Sequence, residues 1–148
     1  MDPQRERIQA DLRGLLSGEV VCDDRFTLMY ASDASIYQMR PLGVVRPRGL
    51  ADVRAVVRYA AEQSIPIHAR GAGTGLAGES LGPGLVLDFS HSMRRIVGIN
   101  GDTVTVQPGV GTGLAYPCMG PYLAQGIVED RYGMPIVSAT HFERTTVG

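Results

Sequence analysis

Four glycines within eight residues, in the run Arg70-Gly71-Ala72-Gly73-Thr74-Gly75-Leu76-Ala77-Gly78-Glu79-Ser80, mark the part of this chain best suited to hold a ligand. Glycine reaches backbone angles closed to other residues and lets the main chain approach a ligand closely. Successive N–H groups of such a loop can turn toward phosphate oxygens. Gly73, Gly78 and Ser80 have the spacing of a phosphate loop that hydrolyses nucleotides, but Glu79 stands in the lysine position, where a carboxylate repels β- and γ-phosphates. The chain has 14 arginines and no lysine at all, which removes Schiff-base chemistry as well. Gly73 to Gly78 also satisfies G-x-G-x-x-G, a pattern that must open a helix and be followed about 20 positions on by an acidic residue. Gly82-Pro83-Gly84 stops any such helix, and no acidic residue lies between Asp88 and Asp102. Two readings remain: a dinucleotide pyrophosphate held by the loop backbone alone, or a glycine-rich crossover between strands that holds no ligand.

The elements that must position this loop are legible on both sides of it. Leu42 to Arg46 is an apolar run ended by Pro47, and Ile65 to Ala69 is a second strand candidate. Between them Leu50, Val53, Val56, Val57, Ala60 and Ala61 form one stripe, which predicts a helix from about Leu50 to Gln63 with Gly49 as N-cap and Asp52 in the first turn. Strand, helix and strand make a βαβ unit with parallel strands and a right-handed crossover. Leu85 to Phe89 is a buried strand candidate. Arg95 to Ile99 and Thr103 to Gln107 flank Asn100-Gly101, a strong hairpin signal, with Val104 and Val106 expected to face the core. The fold class is α+β: a βαβ unit followed by an antiparallel meander. Upstream, Ile8, Leu12, Leu15 and Leu16 predict a helix from Pro3 to Leu16 that stops before Gly18, whereas Asp23 to Arg40 shows no period and reads as irregular. Beyond Pro108 the pattern decays.

Composition bounds the function further. With 148 residues, 44% hydrophobic and 20% charged, the chain suits one globular domain, and a net charge of −1 gives no general attraction to nucleic acid. Its first residues lack the apolar core of a signal peptide, and no stretch approaches the roughly 18 apolar residues of a membrane span, so a cytoplasmic protein is expected. Cys22 and Cys118 have no partner at metal-ligand spacing and read as free buried thiols; no metal site is expected. His68, His91 and His141 have no carboxylate in a recognisable arrangement and read as structural or solvent-facing.

Arg70 to Gly78, Gly82 to Asp88, and Val106-Gln107-Pro108-Gly109-Val110, in this order, resemble the FAD-binding domain of the vanillyl-alcohol oxidase superfamily, also called the PCMH type. Tyr30-Ala31-Ser32-Asp33-Ala34-Ser35-Ile36-Tyr37 and Pro41 to Pro47 look like the members allied to the flavoprotein component of glycolate oxidase and to D-lactate and D-2-hydroxyglutarate dehydrogenases. The resemblance implies that Gly71, Ala72, Gly73, Thr74 and Gly75 wrap the FAD pyrophosphate, with Gly78 closing the loop. Thr74 stands where some members carry the histidine that attaches FAD covalently, so non-covalent FAD is implied. Arg70 either adds charge to the cofactor or closes a salt bridge at the strand end. Thr145-Thr146-Val147-Gly148 resembles the start of the family's second flavin-contacting segment, which makes Thr146 and Gly148 further candidate contacts. Residues 111–144 depart from the family pattern.

By the same resemblance the expected division is an N-terminal helical segment, 1–25, and a PCMH-type FAD-binding domain, 26–148, cut short inside its second cofactor motif. The implied reaction is oxidation of a D-2-hydroxy acid by hydride transfer to flavin. A second domain would supply the substrate arginines and base, and an iron–sulfur domain or subunit would belong to a longer parent. The alternative is a truncated or degenerate non-catalytic domain, a cofactor-free fold or interaction module.

Overall fold

The computed structural model describes residues 2–100 and 103–110. Three short parallel strands form its centre: β2 (Gly43–Arg46), β3 (Ile67–Arg70) and β4 (Leu85–Asp88). β4 lies between the other two and is parallel to both, and β1 (Glu19–Val21) completes the sheet antiparallel to β2, giving the order β1-β2-β4-β3. All four residues of β4 are buried. A strand covered on both faces reads as an unbroken apolar run, which is how Leu85-Val86-Leu87 reads.

Alternation along the strands separates two cores. Val45, Leu85 and Leu87 point to one side, where they meet Ile8 and Leu12 of α1 (Pro3–Leu15), Val56 and Tyr59 of α3 (Leu50–Glu62), and Val20 and Cys22. Val44 and Val86 point to the other, against Tyr30 and Phe26. Asp2 caps α1 and Pro3 opens it, as expected where the first N–H groups lack helical partners.

α3 has the predicted extent, Gly49 cap included, but presents a different face. Leu50 and Val57 of the predicted stripe are exposed, while Asp52, Val56, Tyr59 and Ala60 are buried. Polar contacts with α1 and the residues after it set this rotation. Tyr59 Oη donates to Asp11 at 2.9 Å, and the Asp52 carboxylate accepts from Ser17 N at 3.0 Å and Arg48 N at 2.8 Å. Burial pushes the Asp52 carboxyl up, but these hydrogen bonds outweigh it and hold the group below the ordinary carboxylate range.

Residues 23–40 are not wholly irregular. α2 (Asp24–Met29) is capped by Asp23, whose carboxylate accepts from Arg25 N and Phe26 N. Six residues make less than two turns, too few to print a period. Bonds from outside hold the helix instead: Arg5 Nη1 reaches Asp24 at 2.8 Å, and Arg40 Nη2 reaches the Asp24 carbonyl at 2.9 Å. The three-residue edge strand β1 is likewise too short to announce itself.

β5 (Ile96–Asn100) and β6 (Thr103–Val106) form the expected antiparallel hairpin as a separate two-stranded sheet. Asn100, expected in the turn, is the last residue of β5 and pairs with Thr103, while Gly101 lies outside the described residues. The expected inward facing of Val104, and the expectations for Cys118, His141, Thr146 and Gly148, lie outside the described residues or side chains. Among the described residues no helix is long and apolar enough to cross a membrane.

Candidate cofactor site

β2, β4 and β3 end at one edge of the sheet, and their last residues are Arg46, Asp88 and Arg70. Arg70 is in register with Asp88, and the pairing of Val45 with Leu87 brings Arg46 level with Asp88 from the other side. A row of cation, anion and cation therefore crosses the carboxyl ends of three parallel strands, the position where open α/β sheets bind ligands.

Tyr30 organises this row. Its hydroxyl donates to Asp88 Oδ2 at 2.6 Å and accepts from Arg46 Nη2 at 2.9 Å. Burial, then the bond to Asp88, raises the Tyr30 pKa. The other Asp88 oxygen accepts from Ser90 N at 2.9 Å and Ser90 Oγ at 2.6 Å, so a carboxylate only 4% exposed is satisfied on both oxygens. Arg46 also reaches Glu19 at 3.0 Å and lies over the Phe26 ring. Sequence reasoning missed Tyr30, Arg46 and Asp88. The available signal was that each of the two charged residues ends an apolar strand on the same parity, Val44-Val45-Arg46 and Val86-Leu87-Asp88.

Arg70 is placed differently. Its guanidinium lies over the Tyr30 ring, 5.2 Å from the centroid, and Nη2 donates to the Ser32 carbonyl at 2.9 Å. Nη1 is buried without a hydrogen-bond partner, and among the described residues Arg70 makes no ion pair. The salt bridge considered for this strand end is therefore absent among the described residues; Arg46 carries the ion pairs of this edge.

The glycine loop runs directly above Arg70. Gly73 has φ +70°, in the region that favours glycine, and a Cβ there would strike the Arg70 guanidinium. Gly78 has φ +80°, with the Tyr37 ring 3.0 Å from where its Cβ would sit. No helix or strand intervenes between β3 and β4, so the helix required by a dinucleotide-binding βαβ fingerprint does not follow this loop.

The segment 31–37 braces the loop from one side. Ala34 N donates to the Gly73 carbonyl at 3.0 Å, and Ser80 Oγ donates to Asp33 Oδ2 at 3.0 Å. Burial raises the Asp33 carboxyl, but hydrogen bonds from Ser35 and Ser80, with Arg70 nearby, hold it below its ordinary value. Gly71 approaches the Pro108 carbonyl, which brings the turn after β6 to the start of the loop. Arg70, Gly71, Ala72, Gly73, Thr74, Gly75 and Gly78 thus lie on the one segment that follows β3, with the Arg70 guanidinium against Gly73. His68 and His91 lie elsewhere: His68 Nε2 is buried without a partner against Gly82, and His91 is exposed with Nδ1 on Ser92 Oγ.

These features suit a cofactor carrying a diphosphate. A cation lies against the loop at Gly73, and the Glu79 carboxylate lies against it at Gly75. One of its amides already donates to an anionic oxygen, Ala77 N to Glu79 Oε2 at 3.2 Å. Among the described residues no cluster could hold a metal ion.

Comparison with known proteins agrees in kind. The chain is 42% identical over 92 residues to D-2-hydroxyglutarate dehydrogenase of Escherichia coli K12, covering 59% of this chain and 9% of that protein. It is 40% identical over 90 residues to glycolate oxidase subunit GlcD of Bacillus subtilis 168, covering 57% and 19%. The chain thus spans less than a fifth of either relative. The solved carbohydrate oxidase of Microdochium nivale superposes with TM-score 0.64 over 87% of this chain and 26% of that one, at 17% identity, a likeness of fold. A family model described as "FAD binding domain" matches residues 41–117, just over half of the chain and all of β2 to β6, and the chain accordingly belongs to the FAD-binding domain family.

Proposed function

We propose that the loop from Gly71 to Gly78 holds the pyrophosphate of FAD through its backbone, and that Arg70 supplies positive charge from beneath. The observation that carries this reading is the Arg70 guanidinium set against Gly73, a glycine of positive φ, with its Nη1 buried and unpartnered. An unmet buried donor is costly and is satisfied when an acceptor arrives. Thr74 offers a hydroxyl to the same oxygens and no imidazole for a covalent link, so the cofactor is held non-covalently. Thr146 and Gly148 belong to the second cofactor segment in this reading.

The chain then serves as the FAD-binding part of a cytoplasmic flavin-dependent oxidoreductase acting on a D-2-hydroxy acid. Bound FAD supplies a two-electron acceptor for the hydrogen on the carbon bearing the hydroxyl. By the family resemblance, the base and the carboxylate-binding arginines would belong to a second domain, and an iron–sulfur domain or subunit to a longer parent. The names of the relatives support the substrate class, since both act on hydroxy acids by name.

Flavin fluorescence tests the reading. Titrating FAD with the purified chain should give saturable quenching, and Gly73→Val should weaken binding at least tenfold while leaving the far-ultraviolet circular dichroism unchanged. Unquenched flavin at high protein concentration contradicts the proposal.

A further inference from the structure

The Glu79 side chain folds back onto the glycine loop. Its Oε2 accepts from Ala77 N at 3.2 Å, and its carboxylate covers Gly75 so closely that a Cβ there would strike it. The side chain is exposed and makes no ion pair among the described residues. The Arg70 guanidinium lies where a Cβ of Gly73 would sit. The loop therefore carries a negative charge beside Gly75 and a positive one beside Gly73. Glu79 also occupies the position at which loops of this spacing, Gly73 to Ser80, carry the lysine that attracts terminal phosphates.

We propose that Glu79 is a specificity-determining residue that makes this loop selective for a bridging diphosphate, in which each phosphorus carries one charge, against nucleotides ending in a free phosphate. The inference rests on the FAD reading above. A terminal phosphate carries close to two negative charges at neutral pH. A unit charge about 4 Å from a carboxylate in water changes affinity by about fivefold. The penalty that Glu79 imposes thus grows with the charge of the nearest phosphate, while the bridging diphosphate of a dinucleotide meets the smaller one. Backbone amides alone do not make this distinction, because they attract every phosphate and attract the more highly charged one more strongly.

The test compares ligands across variants of the full 148-residue chain. Dissociation constants are measured by calorimetry for FAD, ADP and inorganic pyrophosphate with wild type, Glu79→Gln and Glu79→Ala. Glutamine keeps an acceptor for Ala77 N and removes the charge; alanine removes both. In Glu79→Gln the affinity for FAD should rise about fivefold, and that for ADP and pyrophosphate about twentyfold or more, narrowing the preference for FAD. Glu79→Ala should follow the same order if charge rather than shape is responsible. Equal gains for all three ligands, or none, overturn the proposal and leave the FAD reading standing. Failure of FAD to bind wild type and both variants overturns both.

Discussion

The two faces of the four-stranded sheet are built from the same strands, and the contrast between them separates stability from binding. On the face toward α1 and α3, Val45, Leu85 and Leu87 meet Ile8, Leu12, Val56 and Tyr59, and the contacts are local to a closed core. On the opposite face the apolar part is small, Val44 and Val86 with Tyr30 and Phe26, and the strands end in Arg46, Asp88 and Arg70. The first face is complete in itself. The second is satisfied at Asp88 and Arg46 but leaves one donor unmet on Arg70, the arginine that lies against the glycine loop.

Substitutions should divide along the same line. Leu12→Ala opens a cavity in the closed core and should cost about 4 kcal/mol of stability in urea unfolding, with FAD affinity of the folded fraction unchanged. Asp88→Asn breaks the buried pair with Arg46 and takes the negative acceptor from Tyr30. It should cost about 3 kcal/mol and weaken FAD binding as well, because Arg70 packs on Tyr30. A loss of stability with no change in affinity would separate the row from the loop.

Asp52 sharpens the contrast through pH. Its folded pKa is depressed, so the stability it contributes is present above the ordinary carboxylate value of about 3.9 and is lost as pH falls through the folded value. Asp52→Ala should therefore be about 2 kcal/mol less stable than wild type at neutral pH, with the difference closing in acid, and FAD affinity should not move. Smaller still is the effect of Cys22, which burial pushes up to about 11 from an ordinary 9.0. Its contribution should be intact below pH 9.0 and be lost as pH rises toward about 11. In a Cys118→Ser variant, the Cys22 thiol should react with a disulfide reagent at about pH 8 only as fast as the protein opens.

The same contrast governs what the sequence discloses. Elements that rest on the closed core are legible: α1, α3, β2, β3 and β4 all carry apolar patterns long enough to read, and the glycine loop declares itself by composition. The hidden elements depend on single polar contacts across the fold. α2 hangs on the Asp23 cap and on Arg5 and Arg40, 19 and 16 positions away. The rotation of α3 depends on Ser17, 35 positions from Asp52. Tyr30 meets Asp88 across 58 positions, and no local period encodes such a pairing. The motif from Tyr30 to Tyr37 is recognisable by resemblance, but its work, holding Gly73 and Ser80 through Ala34 and Asp33, emerges only when the chain is folded.

Thermal unfolding of wild type and Arg70→Gln, each with and without FAD, tests the central claim most directly. A ligand bound only by the folded state adds about 2.7 kcal/mol of stability at a concentration about 100 times its dissociation constant. The wild-type midpoint should rise with FAD, whereas Arg70→Gln should melt close to the ligand-free wild type and gain little from the cofactor. An equal rise in both proteins, or none in either, would contradict the assignment of Arg70 and its glycine loop as the cofactor site.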